Sequence, residues 1–278
     1  ENLNIAVAAN FKHTLEALKQ DFEKSSPHTL KIISASTGQL VQQISQHAPF
    51  DILLAANTAH PQLLWQHIHE SRNLGLDALR IYAKGRLVFY SNITLNQTQT
   101  INDILNDPRY TRLSVANSIL APYGLAAIQT LECLKQQQWQ SKLVIGQNVA
   151  QALQFIDSQS VDGGFVALSQ VIHKYNTGKA NFWKVPAHLY SPIRQDAVVL
   201  KSAKKFNRFK FKHVIKNQSN EVAYSFISEP KYLALHNKKH VIAAKHPSRI
   251  YQNIREHKRY NVAGTGIKFC GDGLYSEV

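Results

Sequence analysis

The sequence predicts an α/β fold with two lobes and a ligand cleft between them. Short apolar runs without a helical period alternate with segments whose apolar residues recur every three or four positions, a pattern typical of strands joined by helices around a parallel sheet. The alternation occurs twice, in residues 1–80 and again in 85–180. Because ligands of such folds bind at the carboxyl ends of strands, we expect the site to lie between the lobes.

The first lobe starts with a buried strand and an amphipathic helix. Phe11, Leu15, Leu18 and Phe22 recur at steps of four, three and four, which is the apolar stripe of a helix. Further strands are predicted at 30–35 and 51–56, with a turn at Thr37-Gly38 and helices from Leu40 and Pro61. We assign residues 1–82 and a return segment 186–204 to this lobe.

The second lobe, residues 83–185, repeats the same alternation. Strands are predicted at 85–90, 113–116, 143–145 and 164–168, and helices at 101–105, from Pro122 and from Val149. The extended segments near 80–90 and 183–200 are the predicted crossings between the lobes.

Five stretches join a strand end to a helix start through small, hydroxyl or amide residues, namely 4–18, 33–44, 47–57, 120–131 and 146–155. A helix N-terminus has unpaired N–H groups and a partial positive charge, which favour anions. Because charged side chains are nearly absent from these joins, they predict a pocket for a small, fully ionised oxyanion.

The sequence resembles the periplasmic molybdate-binding proteins, the substrate-binding subunits of molybdate ABC transporters. The resemblance is carried by VAANF, by STG-x-L-x-x-QI with APFD-I-L-L-AA, and by LAPYG-x-AA, QNVAQALQF and GFVALSQV, in the family's order over about residues 3–200. It implies a type II periplasmic binding-protein fold that closes on molybdate, and usually tungstate, through neutral donors.

The resemblance also implies ligand-binding residues. These are Asn10, Thr37, Tyr123 and the backbone N–H of Val149, with Ser36 beside Thr37. Some relatives have a hydroxyl where this chain has Ala9, and one branch has a tyrosine where it has Ala167. We therefore expect Tyr123 to supply the phenol, and one side-chain donor to be missing at Ala9.

Each of these residues also has an ordinary structural role. Asn10 could be a helix cap, Ser36 and Thr37 a turn and cap, and Tyr123 a packed aromatic at a helix entrance. Molybdate offers only acceptors, so neutral N–H and O–H donors suit it, and hydrogen bonds to a charged acceptor contribute about 1.5–3 kcal/mol each. Discrimination from sulfate would then depend on cavity size.

Other chemistry has little support in the sequence. His67-x-His69 and His236-x-x-x-His240 lack Cys, Asp or Glu partners at ligand spacing, so we expect no metal site. Because no catalytic or nucleotide-binding motif is present, we expect neither an enzyme nor a cofactor. Two cysteines, Cys133 and Cys270, do not form a disulfide framework, and their state stays open.

The last part of the chain differs in charge from the rest. Residues 1–200 contain 16 Lys and Arg against 13 Asp and Glu, whereas residues 201–278 contain 16 against 5. The resemblance ends near Lys205. A shifted reading frame, an appended basic module that binds nucleic acid or an anionic surface, and ordinary divergence are all compatible with the segment 205–278.

These observations favour a monomeric periplasmic protein that captures molybdate or tungstate and passes it to a membrane permease. The chain begins at Glu1 and contains no Met, as expected after removal of a signal peptide, although an edited chain would look the same. Two alternatives stay open: a ligand-sensing regulator with a nucleic-acid-binding tail, and a binding protein for another tetrahedral oxyanion. If the chain captures molybdate, we do not expect it to bind nucleic acid.

Overall fold

The computed structural model describes residues 2–64, 79–96, 98–176 and 181–200. The segment 205–278, both histidine pairs and Cys270 lie outside these ranges, as does most of the helix predicted from Pro61. Within the described residues the strands form two five-stranded sheets with helices around them, so the predicted α/β class is confirmed.

The elements follow one another in nearly the predicted order. In the first part of the chain they are β1 (Asn2–Ala8), a 3-10 turn (Ala9–Phe11), α1 (Lys12–Ser25), β2 (Thr29–Ala35), α2 (Thr37–Ser45), β3 (Ile52–Leu54) and β4 (Leu79–Lys84). They continue with β5 (Leu87–Ser91), α3 (Ile101–Asn106), β6 (Leu113–Ala116), α4 (Pro122–Cys133), β7 (Leu143–Gly146), α5 (Val149–Asp157), β8 (Gly163–Ala167), α6 (Leu168–Asn176), β9 (Phe182–Lys184) and β10 (Arg194–Val199). Residues 59–64 are also helical.

The sheets are mixed, whereas the sequence pattern indicated a parallel sheet. The first has the order β2-β1-β3-β10-β4, and the second has the order β7-β6-β8-β5-β9. β1 is parallel to β2 and β3, but β10 runs antiparallel to both β3 and β4. In the second sheet β5 is antiparallel to β8 and β9. The strands that run against their neighbours are β5 and β10, and both begin within the segments predicted to cross between the lobes.

The turn predicted at Thr37-Gly38 is also wrong, because both residues lie in the first turn of α2. Ser36 is the helix N-cap, and it forms a capping box in which its hydroxyl accepts from Gln39 N–H while the Gln39 side chain accepts from Ser36 N–H. This reciprocal arrangement satisfies two donors at the helix start and begins the helix one residue after Ser36.

The apolar stripe of α1 is confirmed, since Phe11, Leu15, Leu18 and Phe22 are all buried in one cluster with β1 and β3 residues. The opposite face of the sheet packs against α2 through Leu40 and Ile44. A third cluster fills the second sheet and also contains Ala8, Ala9 and Ala56 from the ends of first-sheet strands or just beyond them.

Cys133 is disulfide-bonded, which the sequence left undecided. Of the helices within the described ranges, none combines the length and apolar character that crossing a membrane requires.

Candidate functional site

The residues implied by the resemblance all follow the carboxyl ends of parallel strands. Asn10 comes two residues after β1, and Thr37 two residues after β2. Tyr123 lies in the first turn of α4, which follows β6, and Val149 is the first residue of α5, which follows β7. Each side chain or N–H is therefore presented by a strand–helix join, the position where helix starts favour anions.

Asn10 and Tyr123 are joined through a residue that the sequence did not single out, Gln195 of β10. Asn10 Nδ2 donates to Gln195 Oε1 at 2.9 Å, and Gln195 Nε2 donates to the Tyr123 hydroxyl at 3.3 Å. All three side chains are uncharged and buried. Asn10 Oδ1 has no hydrogen-bond partner among the described residues.

The Tyr123 phenol stays protonated over the whole working pH range. Burial raises its pKa far above the usual value, the nearby Tyr190 adds to this, and hydrogen bonds with Gln195 and Asn10 only partly offset it. A protonated phenol whose oxygen already accepts from Gln195 can donate its own proton to an acceptor ligand.

Thr37 is held by the strand end opposite it. Its Oγ1 accepts the backbone N–H of Ala56 at 3.0 Å, and the side chain is buried. The next residue, Gly38, donates its N–H to the carbonyl of Leu120 at 3.0 Å. The start of α2 thus touches the loop that leads into α4 and Tyr123.

Ser36 and Ala9 contribute less. The Ser36 hydroxyl donates to Gln39 Oε1 at 2.8 Å, which uses its proton within the capping box and favours the structural role. Ala9 is buried and has no polar side chain, so it offers a ligand no side-chain donor.

Val149 presents its N–H at the start of α5. The side chain of the N-cap, Asn148, accepts the N–H groups of Ala150 and Gln151 at 3.0 and 3.1 Å, so the Val149 N–H is the first-turn donor that this cap does not use. The Val149 carbonyl accepts from Gln170 Nε2 at 3.2 Å. Helix α5 packs against the Ala9–Phe11 turn that carries Asn10.

The structure therefore links Asn10 to Tyr123 through Gln195. The helix that begins at Val149 packs against the turn that carries Asn10, and the residue after Thr37 bonds to the loop before Tyr123. Neither Thr37 nor Val149 makes a hydrogen bond to Asn10 or Tyr123 within the described ranges. In the same ranges no group of three or more His, Cys, Asp or Glu side chains could hold a metal ion.

Three residues around Asn10 and Tyr123 were not predicted from the sequence, namely Tyr82, Gly85 and Gln195. Tyr82 places its hydroxyl 3.0 Å from both Gln195 Oε1 and the carbonyl of Ala55. A Cβ on Gly85 would overlap the Tyr123 hydroxyl and lie 2.9 Å from Gln195 Nε2. Gln195 is the middle one of three consecutive polar residues, Arg194, Gln195 and Asp196, and no local pattern distinguishes it from its neighbours.

Two α/β sheets whose strand ends present buried, uncharged donors are typical of two-lobed solute-binding proteins. The chain belongs to the bacterial extracellular solute-binding protein family, whose model matches residues 3–210. Proteins of this family act outside the cytoplasm, and the match agrees with the resemblance to periplasmic binding proteins found in the sequence.

Individual relatives agree with that family. The chain is 38% identical to the molybdate-binding protein ModA of Azotobacter vinelandii over 73% of this chain and 79% of the relative. It is 34% identical to ModA of Rhodobacter capsulatus over 71% and 75%. The solved periplasmic molybdate-binding protein of Azotobacter vinelandii superposes with a TM-score of 0.69 at 30% identity, covering 78% of this chain and 93% of that one.

Proposed function

We propose that this protein captures molybdate outside the cytoplasm and delivers it to the membrane permease of an ABC transporter. It acts in the periplasm, catalyses no reaction and holds no resident cofactor. The two ModA relatives and the Azotobacter vinelandii structure support the choice of ligand. Tungstate, a tetrahedral dianion of nearly the same size, is the expected second ligand.

One observation carries the proposal, namely that Asn10 and Tyr123, from different halves of the fold, meet as buried neutral donors around Gln195. A fully ionised oxyanion has only acceptors, so it can accept a hydrogen bond from the Tyr123 hydroxyl without any buried counter-charge. Several charge-assisted hydrogen bonds together offset the cost of removing the dianion from water.

The donor set reaches across the fold, which explains how binding would be reported to a transporter. Helices α1 and α2 start at the first sheet, whereas α4 and α5 belong to the second. A ligand that bonds to both halves stabilises the closed arrangement, because only that arrangement offers all its donors at once. The permease would recognise the closed form.

Asn10 Oδ1 is the atom that fits an anion least, because it is buried, is itself an acceptor and has no hydrogen-bond partner in the part of the chain that the structure describes. A fully ionised oxyanion cannot donate to it. We therefore expect a water molecule to donate to Asn10 Oδ1 when the anion is bound.

Calorimetric titration of the full chain with molybdate, tungstate and sulfate tests the proposal. We expect tight binding of molybdate and tungstate and weak or absent binding of sulfate, whose smaller radius leaves the donors too far away. Equal affinity for all three ions, or no binding of any, would refute it.

A matched pair of variants links that binding to the proposed site. Asn10→Asp replaces the amide by a carboxylate that cannot donate and repels a dianion, so molybdate affinity should fall by at least about 100-fold. Asn96→Asp adds the same charge on an exposed loop, where Asn96 already accepts from Thr98, and should leave affinity nearly unchanged. Similar losses in both variants would place the anion elsewhere.

A further inference from the structure

We propose that Gln195 is a positioning residue of this anion site, whose side-chain amide fixes the direction in which the Tyr123 proton points. The inference rests on the proposed function. It concerns a residue outside the set that the resemblance implies, and it assigns to Gln195 a role in orientation and none in direct contact with the ion.

The Gln195 side chain is surrounded by partners of defined polarity. Its Oε1 accepts from Asn10 Nδ2 at 2.9 Å and lies 3.0 Å from the Tyr82 hydroxyl, while its Nε2 donates to the Tyr123 oxygen at 3.3 Å. Gln195 is only 2% exposed. Water therefore cannot substitute for these partners without entering the core.

This arrangement decides that the Tyr123 oxygen accepts from Gln195 and that its proton points elsewhere. Asn10 Nδ2 donates to the amide oxygen of Gln195, so exchanging that oxygen with the NH₂ group would place two NH₂ groups against each other. The NH₂ group is thereby held towards Tyr123, whose oxygen must accept. A phenol oxygen that accepts from one side has its proton free for another acceptor, and burial keeps that proton on the oxygen.

The backbone around Gln195 is shaped to hold the amide in place. In the pairing of β10 with β4, Gln195 lies opposite Ala83 and Asp196 lies opposite Ile81. Tyr82 is therefore an extra, unpaired residue of β4 at this point, which makes a β-bulge. Such bulges re-aim side chains. The Tyr82 ring is packed edge-to-face on Phe11, with centroids 4.9 Å apart. This packing fixes the ring whose hydroxyl lies between Gln195 Oε1 and the Ala55 carbonyl.

Gln195→Glu tests the polarity with little change of shape. An ionised carboxyl has no N–H for Tyr123 and would instead accept the Tyr123 proton, removing a ligand donor and adding a negative charge. We expect molybdate affinity at pH 8 to fall by at least about 100-fold. Affinity should recover as the pH is lowered to 6, because a protonated carboxyl again provides a donor.

Gln136→Glu is the matched control. Gln136 is also a buried glutamine, and its Nε2 donates to Asn102 and Asn106 side chains away from the site. The molybdate affinity and pH profile of Gln136→Glu should follow those of the parent. Because Asp196, Tyr82 and the ligand titrate alike in all three proteins, the comparison removes their effects. A purely structural defect at Gln195 would lower affinity without adding this pH dependence.

A double-mutant cycle covers the case in which Gln195→Glu does not fold. Gln195→Met keeps length and removes polarity, so the Tyr123 hydroxyl loses the bond that directs it. We then expect Tyr123→Phe to cost several-fold less affinity in the Gln195→Met background than in the parent. Equal costs in the two backgrounds would overturn the inference.

The two proposals fail differently. A parent chain that binds neither molybdate nor tungstate refutes the proposed function. A parent that binds, together with a Gln195→Glu variant whose affinity at pH 8 matches it, refutes the positioning role alone.

Discussion

The hydroxyl oxygen of Thr37 accepts the backbone N–H of Ala56 at 3.0 Å, and this bond joins the first turn of α2 to the segment that follows β3. Thr37 is buried. Because its oxygen is the acceptor, its proton is available to a ligand that offers only acceptors. The same hydroxyl thus serves the fold through its oxygen and the proposed site through its proton.

Thr37→Val removes both functions while keeping the branched shape. One charge-assisted bond contributes about 1.5–3 kcal/mol, so molybdate affinity should fall about 10- to 100-fold. The Ala56 N–H would also lose its acceptor, which should lower the free energy of unfolding by about 1–3 kcal/mol. Calorimetry and chemical denaturation measure the two effects.

Thr37→Ser is the control, because it keeps the hydroxyl. Its affinity should stay close to that of the parent. A Thr37→Val protein that is less stable but binds molybdate as well as the parent would restrict Thr37 to its structural role.

Val149 offers a way to delete a backbone donor without deleting the helix. It is the first residue of α5, where proline is tolerated, and Asn148 before it is extended at φ −151° and ψ 174°, as a residue before proline prefers. Val149→Pro should therefore keep the helix and remove only the N–H. We expect about a 10- to 100-fold loss of molybdate affinity by calorimetry.

Val149→Ala retains the N–H and shortens the buried side chain, so it should cost some stability and little affinity. Circular dichroism checks that helix content is unchanged in both variants. Equal affinity of the proline and alanine variants would show that this N–H does not bind the ion.

The parts of the fold that follow from local pattern were predictable from the sequence. The apolar stripe of α1 predicted its buried face, and the helix starts predicted at Pro122 and Val149 are those of α4 and α5. Strand β6 was predicted with its observed bounds because Leu113–Ala116 is a short buried run between polar segments. The start of α2 was misread because Thr-Gly is typical of turns, whereas the Ser36 and Gln39 capping box decided the outcome.

The parts that depend on distant residues were not predictable. Gln195 lies 185 positions after Asn10, and no local pattern indicates that β10 crosses back beside β3. The direction of β10 also decides that the sheet is mixed. Gly85 gave no signal either, because its requirement for a missing side chain arises only once Tyr123 packs against it.

Gly85 leads to a prediction about Tyr123. A Cβ at position 85 would overlap the Tyr123 hydroxyl and lie 2.8 Å from a methyl carbon of Ile193. Gly85→Ala should therefore displace the phenol and lower molybdate affinity by about tenfold or more, a loss of roughly 1.4 kcal/mol. Calorimetry of the single variant measures this loss.

A double variant separates the clash from other effects of alanine. Tyr123→Phe removes the oxygen with which the new methyl group collides, so Gly85→Ala should cost little further affinity in that background. If the two losses simply add, the alanine acts through Ile193 or Gln195, and the explanation through the Tyr123 hydroxyl is wrong.

Asp196 leads to a prediction about the pH dependence of stability. It follows Gln195 on β10, is 1% exposed, and both carboxylate oxygens lack hydrogen-bond partners among the described residues. Burial raises the pKa of Asp196 to about 7, against a small opposing effect of Arg194. In the unfolded chain the carboxyl has its ordinary pKa near 3.8.

The sign follows from proton binding. Between pH 4 and 7 the folded chain holds a proton on Asp196 that the unfolded chain has released, so stability falls as the pH rises through this window and is constant above it. The full effect is about 4 kcal/mol, from about 1.4 kcal/mol per pKa unit. Asp196→Asn keeps the shape without the charge, so it should match the parent near pH 4 and exceed its stability most at pH 8.

Asp162 gives the opposite control. Burial raises the pKa of Asp162, but hydrogen bonds from Arg112 and Thr111 outweigh it and lower the pKa overall. Asp162→Asn should therefore lose stability at neutral pH, and the loss should shrink as acid protonates the parent carboxyl. Urea denaturation of both variants at pH 4, 6 and 8 provides the comparison. An Asp196→Asn variant that is no more stable than the parent at pH 8 would mean that the buried carboxylate has a partner that compensates its charge.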